Sequence, residues 1–254
     1  MDNAVKHIVM YSGGVCSWNA AKRVVEQYGS DNTLLLFADT KMEDEDLYRF
    51  LNEGAEILDT ELKILADGRN PWEVFEDVKF LGNSRVDPCS RILKRDLIRK
   101  WVEDNYTHEE CVIYMGMDWT EGHRLERTQG HWQPYTVKAP MVEKPLLMKE
   151  QMLKNAEDAG LEIPRLYKMG FPHNNCGGFC IKAGQAHFNL LLNSMPERYD
   201  YHEKQEARLQ EVLGKKYTIL RIQEKGKKSP VSLKEFRERV QEKEKGMFDT
   251  DDWI

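Results

Sequence analysis

The chain has 254 residues, a formal net charge of -6 and 41% hydrophobic residues. This length allows one large domain or two smaller ones with a hydrophobic core, and the mild acidity argues against a general affinity for nucleic acid. No apolar run approaches the roughly 20 residues of a membrane span, and the first residues lack the apolar core of a signal peptide, so we expect a soluble, cytoplasmic protein that does not enter a membrane.

The first half of the chain alternates between predicted strands and predicted helices. The strands are expected at 7–12, 33–40, 61–67 and 110–118, and the helices at 19–29, 44–58 and 90–104. This alternation predicts a parallel sheet that is covered by helices on both faces. Such sheets bind ligands at the carboxyl ends of their strands, and Ser12, Asp39 and Asp118 all fall at such ends.

After about residue 145 the pattern becomes mainly helical. Helices are expected at 145–161, at about 181–213 and at 232–245, with a Gly- and Cys-rich loop at 170–180, a short strand at 217–222 and a polar loop at 224–230. We therefore predict two domains. These are an α/β domain over residues 1–145 and a mainly helical C-terminal region over residues 146–254 that carries the Cys-rich loop.

The segment SGGVCS at 12–17 joins the first predicted strand to the first predicted helix. Its two glycines remove the side chains that would keep a phosphate away from the backbone N–H groups, and Ser12 and Ser17 add hydroxyl donors. The N-terminus of the following helix also favours negative charge. The segment matches neither GxxxxGK[ST] nor GxGxxG. The alternative interpretation is an ordinary turn between a strand and a helix, with glycine at the bend.

SGGVCS resembles the SGGxDS loop of the PP-loop ATP pyrophosphatase superfamily, whose members bind ATP and cleave it between the α and β phosphates. Cys16 stands where that pattern usually has Asp, so a carboxylate that helps to place Mg²⁺ is missing. Three later segments, FADTKMEDEDLYRFL, YMGMDWTEGHRLER and IPRLYKMGFPHNNCGGFC, resemble segments of phosphoadenosine phosphosulfate (PAPS) reductases in the same order. The resemblance covers roughly residues 7–185. It implies an adenine nucleotide α-hydrolase-like fold, a Rossmann-like parallel sheet with helices on both faces.

The strand ends and the resemblance together give a set of expected site residues. In PAPS reductases the Asp-Thr pair matched by Asp39 and Thr40 lies near the nucleoside. The predicted catalytic residues are Ser12, Cys16, Ser17 and Arg124. The predicted nucleotide-binding residues are Tyr11, Ser12, Gly13, Gly14, Val15, Ser17, Asp39, Thr40, Gly116, Asp118, Glu121 and Arg127. Cys16 is either a reactive thiol, since a helix N-terminus lowers the pKa of a thiol, or a side chain that fills the loop. Glu121 holds a metal or a ribose, or is a surface carboxylate.

Three of the five cysteines form the second expected constellation. Cys89, Cys176 and Cys180 resemble cysteines that hold a four-iron cluster in iron–sulfur adenylylsulfate reductases. They would hold an iron–sulfur cluster with one open iron, or bind Zn²⁺ with His173 as the fourth ligand, or stay reduced without a metal. Cys111 lies inside a predicted strand and is expected in the core. The odd number of cysteines argues against a disulfide framework.

Three functions follow from these patterns. The first is an enzyme that uses ATP and Mg²⁺ to adenylate its substrate and releases pyrophosphate, for sulfur transfer or for modification of a nucleic acid or a small molecule, with an iron–sulfur cluster. The second is a PAPS or adenylylsulfate reductase, although no cysteine follows Cys180 to act as the nucleophile. The third is a non-catalytic nucleotide-binding subunit. An adenine nucleotide is the expected ligand in each case, and the sequence leaves a homodimer open.

Overall fold

The computed structural model describes residues 5–83, 85–224 and 227–248. The strands of this part are β1 (Lys6–Met10), β2 (Thr33–Asp39), β3 (Glu61–Ala66), β4 (Cys111–Met115), β5 (Thr136–Lys138), β6 (Leu220–Glu224) and β7 (Lys227–Val231). Its α-helices are α1 (Val15–Tyr28), α2 (Glu45–Ile57), α3 (Pro71–Asp77), α4 (Pro88–Ser90), α5 (Leu97–Asn105), α6 (Leu125–Trp132), α7 (Lys149–Asp158), α8 (Arg165–Lys168), α9 (Gln185–Ser194), α10 (Pro196–Leu213) and α11 (Leu233–Phe248).

Strands β1 to β5 form one parallel sheet in the order β3-β2-β1-β4-β5. Strand β1 lies in the middle, where Ile8 pairs with Leu34 of β2 on one side and with Ile113 of β4 on the other. The chain adds strands in one direction from β1 and then turns back to add β4 and β5 on the opposite side. This order is typical of a Rossmann-like sheet, and it confirms the predicted fold class.

The sheet is covered on both faces because alternate side chains of each strand enter two separate cores. Val9 and Leu35 face one core, together with side chains of α1, α2 and α7. Ile8 and Ile113 face the other core, which is closed by side chains of α5 and α6. Every residue of β2 is buried, as expected for a strand of the sheet interior.

The chain divides into two compact units. One unit contains the described residues up to Gly68 together with Leu93–Gly178, and it includes the whole parallel sheet. The other contains Arg69–Ile92 and the described residues from Phe179 onward. The division at residue 145 stays a prediction, and the compact units divide the chain at other points. Within the described ranges, none of the helices combines the length and apolar character required to cross a membrane.

Several elements of the second half differ from the sequence prediction. The polar loop expected at 224–230 is wrong for residue 224, which ends β6, and for residues 227–230, which belong to β7 and pair antiparallel with β6. Residues 225–226 lie outside the described part. The long helix expected at about 181–213 is divided at Met195 into α9 and α10. Pro196 opens α10, where its missing N–H is not needed.

A buried histidine lies in the second unit. His202 of α10 is 1% exposed, and its Nδ1 atom accepts a hydrogen bond of 3.0 Å from Trp72 Nε1. Its ring stacks on Phe179 with 3.6 Å between the ring centroids, while its Nε2 atom has no partner among the described residues. Burial, with a smaller contribution from Arg198, lowers the pKa of His202 well below its ordinary value. The imidazole is therefore neutral in the folded protein at neutral pH.

We expect His202→Phe to weaken the loss of stability on acidification. The unfolded chain takes up a proton at His202 below about pH 6.5 and the folded protein does not, so this group lowers the free energy of unfolding as the pH falls. When the pH is lowered from about 7.5 to about 5.5, the free energy of unfolding of wild type should fall by about 1 kcal/mol more than that of the variant, as measured by urea unfolding.

The comparison of wild type with His202→Phe isolates His202, because Glu206, the buried carboxyl group of α10, is present in both proteins. Burial raises the pKa of Glu206 to about 7, so Glu206 changes the stability in the opposite sense in that pH range. His108→Phe, at an exposed position, is the matched control. Its free energy of unfolding should depend on pH as that of wild type does. Equal slopes for wild type and His202→Phe would contradict the prediction.

Candidate phosphate-binding site

The candidate site lies where the strand order reverses, between β1 and β4. The loop at 11–17 follows β1, and Gly116 follows β4. The two connections touch: a Cβ atom on Gly116 would lie 2.7 Å from the Cα atom of Ser17. Only glycine fits there without displacing the start of α1. In sheets of this type, ligands bind in the crevice at this reversal point, beyond the carboxyl ends of the strands.

The loop presents backbone donors at the N-terminus of α1. Gly14, the residue before α1, is extended (φ -97°, ψ 155°), and no side chain caps the helix from this position. The first amides of an α-helix have no acceptor within the helix and carry partial positive charge. Gly13 has φ +76°, and a Cβ atom on it would lie 2.8 Å from Leu47 Cγ. Both the backbone conformation and the available space therefore require glycine at position 13.

The two serines of the loop have different roles. Ser17 is 1% exposed, and its hydroxyl donates to the carbonyl oxygen of Gly14 at 2.8 Å and accepts from the N–H of Ser12 at 3.2 Å. Ser17 thus holds the loop together from inside. Ser12 is exposed at the mouth of the loop, and its hydroxyl lies 3.3 Å from that of Ser17. Of the two hydroxyls, that of Ser12 is the one open to solvent, and its contact with a phosphate stays a prediction.

Cys16 is a protonated thiol at neutral pH. Burial, followed by the negative charges of Asp118 and Glu121, raises the pKa of Cys16 to about 12. This shift favours the loop-filling interpretation of Cys16 over the reactive thiol. It also shows that the two carboxylates that follow β4 lie close enough to act on the loop.

The segment after β4 carries the other predicted charged residues. Asp118 accepts the N–H of Thr120 at 2.8 Å and so starts the 3-10 turn Trp119–Arg124. Glu121 forms an ion pair with Arg124, and Arg127 Nε lies 3.4 Å from His131 Nε2. Both arginines are exposed and are held by residues of their own segment, so their contact with phosphates stays a prediction.

The end of β2 is a closely hydrogen-bonded turn. The carboxylate of Asp39 accepts from Lys41 N at 2.8 Å, Lys41 Nζ at 2.9 Å and Tyr48 OH at 2.8 Å. Burial acts to raise the pKa of Asp39, but these hydrogen bonds outweigh it and lower the pKa below its ordinary value. Thr40 donates to Glu43 Oε1 at 2.9 Å. Asp39 and Thr40 therefore shape this turn, and their contact with a nucleoside stays a prediction.

Three residues that the sequence analysis did not assign also reach the loop or a residue that touches it. Tyr167 OH accepts from Val15 N at 3.3 Å, and Asn174 Nδ2 donates to the carbonyl oxygen of Gly13 at 2.9 Å. Lys149 Nζ lies 4.5 Å from the centroid of the Tyr167 ring. Tyr167 and Asn174 belong to the segment IPRLYKMGFPHNNCGGFC, in which only the cysteines and His173 were interpreted. Nothing in the sequence pattern pointed to Lys149.

The predicted metal site is not supported. Over the described residues, no group of three or more His, Cys, Asp or Glu side chains could hold a metal ion. The expected ligands are Cys89, Cys176, Cys180 and His173. Cys176 and His173 belong to the first compact unit and Cys89 and Cys180 to the second, so the first unit ends within the predicted CxxxC loop. Cys176 has φ +50°, and its N–H donates to the buried carboxylate of Glu43. Both residues belong to the first unit, so this hydrogen bond holds the backbone at Cys176 within that unit.

Comparison with known proteins finds no matching family model and no matching curated protein. Among solved structures, the chain is similar to the NH3-dependent NAD synthetase from Campylobacter jejuni subsp. jejuni NCTC 11168, which was solved in complex with the nitrate ion. The two sequences are 15% identical, the match covers 83% of this chain and 85% of that chain, and the TM-score is 0.41. It is also similar to NMN synthetase from Francisella tularensis, with 13% identity, 77% of this chain and 87% of that chain covered, and a TM-score of 0.42. The resemblance to PAPS reductases stays a prediction.

We expect Gly116→Ala to disturb the loop. The new methyl group would collide with the backbone of Ser17, so α1 must shift, and the free energy of unfolding should fall by about 1–3 kcal/mol. Binding of inorganic pyrophosphate, measured by calorimetry, should weaken at the same time. Gly130→Ala is the matched control, since a Cβ atom there meets nothing within 4 Å. Wild-type stability and binding in Gly116→Ala would show that the contact does not constrain the loop.

We expect Cys16 to react slowly with iodoacetamide. Because the thiolate is the reacting form, a pKa of about 12 should make alkylation at about pH 8 at least about 100-fold slower than for a free thiol. The rate should rise about 10-fold per pH unit toward pH 10. Mass spectrometry of the peptide that contains Cys16 measures both rates. Alkylation at the rate of glutathione would contradict the raised pKa.

Proposed function

We propose that the protein binds ATP with the phosphate chain on the loop at 11–17 and cleaves it between the α and β phosphates. AMP would be transferred to an oxygen atom of an acceptor, and pyrophosphate would leave. The observation that carries this proposal is the glycine loop at the reversal point of the sheet, where no side chain at the Gly14 position caps α1. The choice of ATP and of the cleaved bond comes from the resemblance of SGGVCS to SGGxDS, the loop of the PP-loop ATP pyrophosphatases.

The residues of the loop would bind the leaving pyrophosphate. Backbone N–H groups of the first turn of α1 and the hydroxyl of Ser12 would donate to its oxygens. Ser17, already bonded within the loop, would keep these donors in position, so that little reorganisation accompanies the reaction. Arg124, which is exposed beyond β4, would neutralise charge at the attacked phosphate.

The carboxylates of Asp118 and Glu121 fit a role in holding Mg²⁺. Mg²⁺ prefers oxygen ligands and usually takes one or two carboxylates together with phosphates of the substrate. The negative charges of both carboxylates help to raise the pKa of Cys16 in the loop, and both residues follow β4, which is adjacent to β1 in the sheet. Bound Mg²⁺ would neutralise part of the phosphate charge.

The acceptor is proposed only as a nucleophilic oxygen of a nucleic acid or a small molecule. Sulfur transfer with an iron–sulfur cluster is left out of the proposal, because the described residues do not assemble the expected ligands.

We expect wild type to bind α,β-methylene-ATP in the presence of Mg²⁺, as measured by calorimetry. With ATP labelled at the α phosphate and fractions of a cell extract as the source of acceptor, the label should appear in an adenylylated acceptor, or in AMP where water or a second nucleophile of the extract displaces AMP from that acceptor. Unlabelled pyrophosphate should be released in either case. Ser12→Ala should lower the rate about 10-fold or more, because a hydrogen bond to a charged oxygen is lost.

Ser30→Ala serves as the matched control, since Ser30 lies beyond the opposite end of α1. Release of ADP and phosphate would contradict the proposed bond. Tight binding with no adenylylated acceptor, AMP or pyrophosphate from any fraction would favour a non-catalytic nucleotide-binding subunit.

A further inference from the structure

The hydroxyl of Tyr167 lies where two backbone N–H groups converge. Val15 N, in the first turn of α1, donates to it at 3.3 Å, and the backbone N–H of Asn174 also donates to it. A Cβ atom on Gly14 would lie 3.2 Å from the same oxygen. The phenol oxygen is thus in contact with the loop, and two amides fix its position.

The proton of this hydroxyl is available to a ligand. Because both amides donate to the phenol oxygen, its own O–H group must point elsewhere, and within the described ranges no acceptor takes it. Burial, the largest contribution, raises the pKa of Tyr167 to about 12, so the proton stays on the oxygen at neutral pH. A neutral hydroxyl with an unused proton, held beside the N-terminus of a helix, is suited to donate to an anion.

A lysine lies over the ring of Tyr167. Lys149 Nζ is 4.5 Å from the centroid of the Tyr167 ring and donates to the carbonyl oxygen of Pro172 at 2.7 Å. No carboxylate of the described part forms an ion pair with Lys149. A lysine that is half-buried, and that is held by a ring and a carbonyl, keeps its positive charge available for a ligand.

We propose that Tyr167 is a phosphate-binding residue of this site, whose hydroxyl donates to a non-bridging oxygen of the phosphate chain, while the Lys149 ammonium over its ring supplies positive charge. This inference rests on the proposed function and adds a second segment, residues 149–174, to the loop that follows β1. The ligand feature that this pair recognises is the phosphate chain and not the nucleoside.

The first experiment uses Tyr167→Phe, which removes the hydroxyl and keeps the ring under Lys149. The affinities for inorganic pyrophosphate and for ATP should fall about 10-fold or more, because a hydrogen bond to a charged oxygen is lost. The affinity for adenosine, which has no phosphate, should not change. Calorimetry with the three ligands measures this, and circular dichroism checks that the variant is folded.

The second experiment tests the charge of Lys149. Lys149→Met should weaken binding of pyrophosphate about 10-fold and reduce its dependence on salt, whereas Lys149→Arg should restore most of the affinity. Lys154→Met is the matched control on the same helix, because Lys154 is exposed and paired with Asp158. Tyr135→Phe is the matched control for the hydroxyl, since Tyr135 packs against the opposite core and donates to the carbonyl oxygen of Tyr106.

The possible outcomes separate this inference from the proposed function. If wild type binds pyrophosphate and ATP, and Tyr167→Phe binds both equally well, the inference is overturned and the proposed function stands. An equal loss of affinity for adenosine would mean that the hydroxyl only braces the loop, which also overturns it. If Tyr167→Phe does not fold, Lys149→Met decides. Pyrophosphate binding with the affinity and salt dependence of wild type would overturn the proposal, whereas weaker binding with a reduced salt dependence would support it. A wild type that binds neither ligand would overturn both proposals.

Discussion

The candidate site depends on the close approach of the connection after β4 to the start of α1. Gly116 leaves no room for a side chain against Ser17, so the first turn of α1 is held directly at the edge of the sheet. With the Gly13-Gly14 bend before it and no capping side chain at Gly14, the first turn of α1 has N–H groups without an acceptor in the helix, of which Val15 N donates to Tyr167 OH. A polar group left without a partner in a buried position is costly, whereas N–H groups that open to a crevice can bind water or an anion. The loop is therefore a candidate ligand site as a consequence of its backbone.

The loop is also held from its other side by residues far away in the sequence. Asn174 binds the carbonyl oxygen of Gly13, and Tyr167 binds the N–H of Val15. Each such hydrogen bond contributes about 0.5–1.5 kcal/mol net, so neither determines the fold. What they do determine is the orientation of the peptide groups in the loop. These groups would otherwise rotate freely, because glycine can adopt many backbone conformations. Preorganised donors of this kind bind a charged ligand without the cost of ordering the chain when the ligand arrives.

The sequence predicts the sheet and the loop well, and the physical reasons are local. Strands that are apolar on both faces, such as β2, cannot be exposed, and the glycine bend before α1 follows directly from residue types. Tyr167 and Lys149 could not be assigned in this way, because their place at the loop depends on packing over more than a hundred residues of separation. The predicted cluster of Cys89, Cys176 and Cys180 is not supported over the described residues. Spacing alone does not show that the chain between two cysteines belongs to one compact unit.

The cysteine at position 16 has an electrostatic consequence for the proposed chemistry. Asp118 and Glu121 already direct negative charge at this position, as the raised pKa of Cys16 shows. A carboxylate in its place would add like charge in a half-buried site, which is favourable only when a cation is bound. The neutral thiol lowers this repulsion and leaves the loop compatible with an anion before any metal ion arrives. The absence of aspartate thus weakens the expected hold on Mg²⁺ without weakening the case for phosphate binding, which depends on the backbone and on donors outside position 16.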